Sequence, residues 1–305
     1  MSKYHKELSL AKDLVKKATE ITEWFNKYGF KSYEKQDKSP VTIADFASQI
    51  FILSELKEKF SEDQIFAEEE RSLISEDEES LIKKCFNEIN FEPYEDIRAI
   101  LNYRGPPSAR QWTVDPIDGT KGYIRGLSYA VGIGLMENSD PKVCAISVPN
   151  YKKEYGAVFI AEKGKGAQAS YGNQEFTLIN VSPQIELKSS IMCQSLHHNA
   201  KWVVRLAEMI HAKNVIQMDG MGKFCMVADG SADLYVREMV TTYSSSWDYM
   251  PGILLVKEAG GMVSDLHNEQ LKFKKSICLW TAPGLVVSNG IFHNEILDSI
   301  KKLTL

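Results

Sequence analysis

Trp112-Thr-Val-Asp115-Pro-Ile-Asp118-Gly-Thr120-Lys-Gly-Tyr-Ile-Arg-Gly126 is the stretch on which the reading of this chain turns. Two carboxylates stand three residues apart, separated by a proline and followed by a glycine. Trp112, Val114, Ile117 and Ile124 make the flanks apolar, as expected for a buried strand that runs out into a turn. Pro116 fixes one backbone angle and removes a donor. Gly119 lets the backbone approach a ligand closely, and Thr120 places a hydroxyl and an N–H beside the acids. Carboxylates crowded at a strand end repel one another, which is costly unless cations lie between them. Hard divalent ions, which prefer oxygen ligands, meet that need. A solvated Asp-Pro turn is the plain alternative.

The 305 residues suffice for a large core and two domains, expected at 1–184 and 185–305. No apolar run approaches a membrane span, and the N-terminus lacks the layout of a signal peptide. Leu8, Ala11, Leu14, Val15 and Ala18 recur instead at helical spacing, so a first helix is expected over 4–30. The five cysteines are odd in number and widely spaced, which argues against a disulfide framework or a zinc knuckle and for reduced thiols in the cytosol. With a net charge of −5 and no basic run, nothing points to nucleic acid. An anionic substrate would then need bound cations to reverse the local sign. No membrane partner is implied, the expected location is the cytoplasm, and a monomer is the expected state.

A second helix is expected after Thr42, with an apolar stripe through Ala44, Ala47, Ile50, Phe51 and Leu56. Ile65-Phe-Ala67 reads as a short strand entering Glu68-Glu69-Glu70, and residues 71–102 as an acidic, irregular loop. Tyr129–Met136, Val143–Val148 and Glu154–Ala161 read as strands, followed by a hairpin signal at Glu162–Gly166, so this part is antiparallel. Beyond residue 185, strands at Ser190–Cys193, Val215–Met218 and Leu234–Val236 alternate with helices at 199–212 and 222–229. The expected class is therefore α/β, with an α+β first part and an α/β second part.

Three further acidic segments can join the site. Asp45 stands near a helix start, where negative charge is favoured. Glu68 lies at a strand end. Asp248 precedes Pro251-Gly252 and an apolar helix at Ile253–Glu258, which it could instead cap.

Asp45, Glu68-Glu69, Asp115-Pro-Ile-Asp118-Gly-Thr120 and Trp247-Asp248-Tyr-Met-Pro-Gly252 together resemble the signature of the lithium-sensitive, magnesium-dependent phosphatase superfamily. Within it the chain most resembles the bisphosphate nucleotidase branch, through Lys121–Gly126, Arg110-Gln-Trp112, Met218-Asp-Gly-Met-Gly-Lys223 and Ala232–Arg237. The resemblance implies a layered α-β-α-β-α sugar-phosphatase fold and two or three Mg²⁺ ions held by Glu68, Asp115, the Ile117 carbonyl, Asp118 and Asp248. It implies that Asp45 and Thr120 polarise the attacking water, that the N–H groups of Gly119 and Thr120 cradle the phosphate, and that Li⁺ inhibits. Ser195, His198, Gly220, Lys223 and Arg237 would contact the nucleotide. Gly220 departs from the family pattern, which usually has serine there. The implied activity is removal of the 3′-phosphate of 3′-phosphoadenosine 5′-phosphate, giving AMP. An inositol-polyphosphate 1-phosphatase and a non-catalytic metal- or ligand-binding relative are the alternatives.

Overall fold

The structure is a computed structural model that describes residues 2–36, 38–70, 74–153, 156–172, 174–197, 200–239, 245–273 and 284–304. The chain opens with α1 (His5–Tyr28) and a hairpin of β1 (Ser32–Glu34) and β2 (Pro40–Thr42), then α2 (Ile43–Lys59) and β3 (Gln64–Ala67). Next come α3 (Glu76–Glu88), α4 (Ile97–Leu101), β4 (Arg110–Asp118) and α5 (Thr120–Ile124). A meander follows: β5 (Ala130–Glu137), β6 (Asp140–Val148), β7 (Ala157–Glu162), β8 (Ala167–Tyr171) and β9 (Thr177–Ile179). The remainder is β10 (Ile191–Gln194), α6 (Lys201–Met209), β11 (Asn214–Gln217), α7 (Gly222–Ala228), β12 (Leu234–Glu238), α8 (Met250–Glu258), β13 (Met262–Ser264), β14 (Gly284–Ser288) and α9 (His293–Thr304).

Strands β3 to β9 form a seven-stranded sheet in sequence order, antiparallel except for the parallel β3–β4 pair. The second sheet has five strands in the order β11-β10-β12-β14-β13 and is mixed. Helices α1 and α2 pack on one face of the first sheet, and α8 on the other. Helix α7 packs on α8 and on β10, β12 and β14, while α6 and α9 pair on the far face of the second sheet. The layers therefore run α-β-α-β-α, as the resemblance implied. Three apolar cores fill the gaps, centred on Ile21, Phe25 and Trp112, on Phe159, Phe224 and Leu255, and on Leu206, Phe292 and Ile296.

Residues 71–102 are not the irregular loop expected from their charge. Ser75 caps α3, its Oγ accepting from the Glu78 N–H at 3.3 Å while Glu78 accepts from the Ser75 N–H at 2.7 Å. The acids of the first turn complement the helix N-terminus. Ile82, Cys85 and Phe86 make a narrow buried stripe that the surrounding charge hides in the sequence. Helix α2 also differs from expectation: it is buried on nearly every side, not along one stripe. The proposed strand at Glu154 begins at Ala157, and residues 154–155 lie outside the described residues. No helix among the described residues is long and apolar enough to cross a membrane.

Candidate active site

In a regular strand, residues 115 and 118 would point to opposite faces, because their spacing is odd. Strand β4 avoids this with a bulge. Asp115 pairs with Gly132 and Asp118 with Ala130, so β4 spends one more residue than β5 over the same span. Pro116, which has no N–H for the ladder, sits in the bulge. One carboxylate oxygen from each of Asp115, Asp118 and Asp248 consequently lies within 4.8 Å of the other two. Asp248 precedes α8 but does not cap it; the residue at the cap is Tyr249.

Asp115 is 1% exposed, and neither of its carboxylate oxygens has a hydrogen-bond partner. Desolvation, then Glu68, Asp118 and Asp248, raise its pKa well above the usual carboxylate range. Asp248 is pushed up to about 8 by desolvation and then by Asp118 and Glu68. Asp118 is pushed up to about 6 by desolvation, against the pull of nearby Lys223. Such a set is under-supplied with positive charge. Its donors are all oxygen, the choice of a hard divalent cation, so the residues fit the metal that the resemblance implied. Glu68, Ile117 and Thr120 line the same cavity of about 470 Å³.

Asp45 sits in the first turn of α2. Its Oδ2 accepts from the Thr42 N–H at 2.8 Å and the Thr42 hydroxyl at 2.6 Å. That capping fixes the carboxylate and leaves Oδ1 facing the Thr120 hydroxyl at 3.5 Å. Burial, only partly offset by Thr42, pushes Asp45 up to about 7. Thr120 Oγ1 also lies 3.2 Å from the Ile117 carbonyl. Glu68 and Glu69 are not simply solvated. Lys35 donates to Glu68 at 2.9 Å and to Glu69 at 2.5 Å, and Glu69 is 2% exposed.

The opposite wall comes from residues 195–248. Gly119 and Gly220 both have positive φ, +94° and +63°, and press on each other's segments. A Cβ at Gly220 would lie 2.4 Å from the Asp118 carbonyl oxygen. The serine usual in the family cannot be accommodated here without moving the turn, which gives a physical reason for the departure. Ser195, Lys223 and Arg237 line the cavity with Gly220. Lys223, however, is neither free nor solvated: its ammonium donates to the Gly220 carbonyl at 2.6 Å and the Met218 carbonyl at 3.4 Å. The Arg237 guanidinium stacks 5.6 Å from the Tyr249 ring centroid. His198 lies outside the described residues. Its neighbour His197 does line the cavity, with Nδ1 2.5 Å from Asp219 Oδ2. Sequence reading missed His197, Asp219 and Lys35. Asp219 lies inside the quoted Met218–Lys223 segment and the other two had no signal of their own, since each becomes part of the site through a long-range contact.

A profile of the inositol monophosphatase family matches residues 4–304. The chain belongs to this family. It is 31% identical to a 3′(2′),5′-bisphosphate nucleotidase of Emericella nidulans, over 98% of this chain and 99% of that one. It is 32% identical to a 3′(2′),5′-bisphosphate nucleotidase of Dictyostelium discoideum, over 88% of this chain and 87% of that one. Among solved structures, an IMPase from Thermotoga maritima superposes with a TM-score of 0.72 at 20% identity, covering 98% of both chains. An inositol monophosphatase from Anabaena gives 0.68 at 19% identity, covering 99% of this chain and 97% of that one. The shared family fold thus extends over essentially the whole chain.

Two outcomes follow from this geometry. An acid whose folded pKa lies above its unfolded value, about 3.9 for Asp, favours folding at low pH. That contribution is lost as pH rises through the folded pKa. Without divalent cations, stability contributed by these three acids should therefore fall as pH rises from about 4, the share of Asp118 being lost by about pH 6, that of Asp45 by about pH 7 and that of Asp248 by about pH 8. Asp115→Asn removes the most crowded charge, so in EDTA at pH 8.5 its Tm should exceed that of the parent while its activity is lost. A lower Tm for the variant at that pH would contradict the repulsion. Gly220→Ser should cost roughly 1–2 kcal/mol of stability through the left-handed backbone alone, with further loss from the Asp118 clash, read as a lower Tm. An unchanged Tm and activity would show that the turn moves freely.

Proposed function

We propose that this chain is a divalent-cation-dependent phosphatase that removes the 3′-phosphate of bisphosphorylated nucleotides. The lead substrate is 3′-phosphoadenosine 5′-phosphate, released as AMP and phosphate. The observation that carries the reading is the buried, partnerless Asp115 converging with Asp118 and Asp248 on a cavity whose far wall bears Lys223 and Arg237. One end of such a cavity suits cations and the other suits anions. The nucleotide reading is supported by the names of the curated relatives, matched along nearly the whole chain.

Glu68, Asp115, Asp118, Asp248 and the Ile117 carbonyl would hold the ions, and Mg²⁺ suits so oxygen-rich a set. Bound divalent cations supply positive charge to the phosphoryl oxygens and acidify the attacking water. The chain's own residues do the rest. Thr120 Oγ1 takes a proton from the attacking water as it passes its own to Asp45 Oδ1, while Thr42 holds the other Asp45 oxygen still. A carboxylate with a pKa near neutrality is a suitable proton acceptor. The backbone N–H groups of Gly119 and Thr120 orient the phosphate, and the closely packed turns at 119 and 220 exclude bulk water. Ser195, His197 and Arg237 are placed to meet the nucleoside and its second phosphate. Lys223 acts there through the Gly220 carbonyl it holds. A division near residue 185 would leave most of the ion-holding groups in the first part, with Asp248 contributed by the second part beside the nucleotide contacts.

Phosphate release from a panel of 3′-phosphonucleotides and inositol phosphates, with and without Mg²⁺, tests the reading. The expected ranking places 3′-phosphoadenosine 5′-phosphate first, with no turnover in EDTA and inhibition by millimolar Li⁺. Equal or faster turnover of inositol 1,4-bisphosphate would favour an inositol-polyphosphate phosphatase. No turnover of any substrate with Mg²⁺ would leave a non-catalytic binding protein.

A further inference from the structure

Three polar residues on one face of α2 reach the acid-bearing segments. Asp45, Ser48 and Gln49 stand at i, i+3 and i+4, and all are fully buried in an otherwise largely apolar helix. Asp45 faces Thr120 directly. Ser48 Oγ donates at 3.1 Å to the carbonyl of Pro116, the residue between Asp115 and Ile117. The Gln49 amide closes on the backbone of Glu69 from both sides. Its Oε1 accepts from the Glu69 N–H at 2.9 Å and its Nε2 donates to the Glu69 carbonyl at 2.6 Å. The same Nε2 donates to the Leu101 carbonyl at 3.0 Å, and Arg104 reinforces the Glu69 carbonyl at 2.8 Å.

Glu68 is thereby fixed at both ends. Its own N–H continues the β3–β4 ladder by donating to the Val114 carbonyl at 3.2 Å, and the next residue is gripped by Gln49. Beyond this point β3 and β4 no longer pair, and the two strand ends are free to splay under the repulsion of their carboxylates. Helix α2 is the element that touches both.

We propose that Gln49 and Ser48 are positioning residues that set the separation between Glu68 and the Asp115–Asp118 bulge, and so set the affinity of the acid cluster for divalent cations. Neither side chain touches the cations or the substrate. They act by holding the Glu69 and Pro116 backbones, and helical geometry transmits one fixed spacing to both. The alternative is that Gln49 only satisfies buried backbone groups, which would make it matter for stability alone. The proposal rests on the metal-dependent reading above.

The test is calorimetric titration of Mg²⁺ into the cation-free full-length protein, without substrate, alongside thermal unfolding in EDTA. Gln49→Leu keeps the approximate volume and removes the clasp. It should raise the Mg²⁺ Kd by about tenfold or more, the usual cost of losing support behind a metal ligand. Asn289→Leu is the control. Asn289 is a buried amide that grips a loop in the same way, donating to the Ser182 and Gln184 carbonyls at 3.2 and 2.9 Å, but lies outside the cavity wall. It should lower Tm and leave the Mg²⁺ Kd within twofold of the parent. If Gln49→Leu does not fold, Ser48→Ala removes only the bond to Pro116 and should still weaken Mg²⁺ binding severalfold. Parental Mg²⁺ affinity in whichever of the two variants folds, whatever its Tm, overturns the positioning role. A parent protein that takes up no Mg²⁺ overturns the metal reading itself, and this proposal with it.

Discussion

Mutual repulsion among carboxylates held out of water is the constraint on which the rest of this structure depends. Asp115 has no hydrogen-bond partner for either oxygen, and Asp118, Asp248 and Glu68 surround it with like charge. A folded chain tolerates such a cluster only if the gain elsewhere is large, or if cations arrive. Three apolar cores supply the first condition. The second links folding to function, because the ions that relieve the strain are those that the proposed chemistry uses.

Much of the architecture can be understood as a means of keeping the acids together. The bulge in β4 turns an odd spacing into a shared face. Helix α2 spans the ends of β3 and β4 and contributes Asp45 to the site. From the other side, the turn at Gly220 presses on the Asp118 backbone at a distance that excludes any side chain. Lys223 braces that turn from beneath, and its charge counters the rise in the Asp118 pKa. Lys35 places a fixed ammonium between Glu68 and Glu69 at the edge of the cluster. The one charge without any such relief is at the centre.

Many of the elements and the Asp115–Asp118 motif were legible in the sequence because they rest on local patterns, whereas the layering and the full acid set came through the family resemblance. A strand flanked by apolar residues, a proline between two aspartates and a helix starting after Thr42 are all short-range signals, and the structure contains each of them. Contacts between distant segments were not legible. Lys223 was read as a residue for substrate and does line the cavity, but the bonds of its ammonium to two backbone carbonyls had no signal in the sequence. Gln49 carries no signal in the sequence, and its grip on Glu69 exists only once β3 is in place. Charge density misled at 71–102, where a capping box and three apolar side chains outweigh the acids around them. His197 carried no signal of its own in the sequence and joins the cavity wall through its contact with Asp219.

Proton release on cation binding is the most direct measure of the central constraint. With Asp248 pushed up to about 8 and Asp115 higher than ordinary carboxylates, the cation-free cluster holds protons at pH 7 that a divalent ion must displace. Mg²⁺ would be titrated into the cation-free protein at pH 7 in two buffers of different ionisation enthalpy. The heats should differ by the equivalent of about one proton or more per molecule, and the difference should shrink as pH is raised above the range of these carboxyls. Saturable Mg²⁺ binding with equal heats in both buffers would mean the carboxylates are already ionised and unstrained, and would contradict the account.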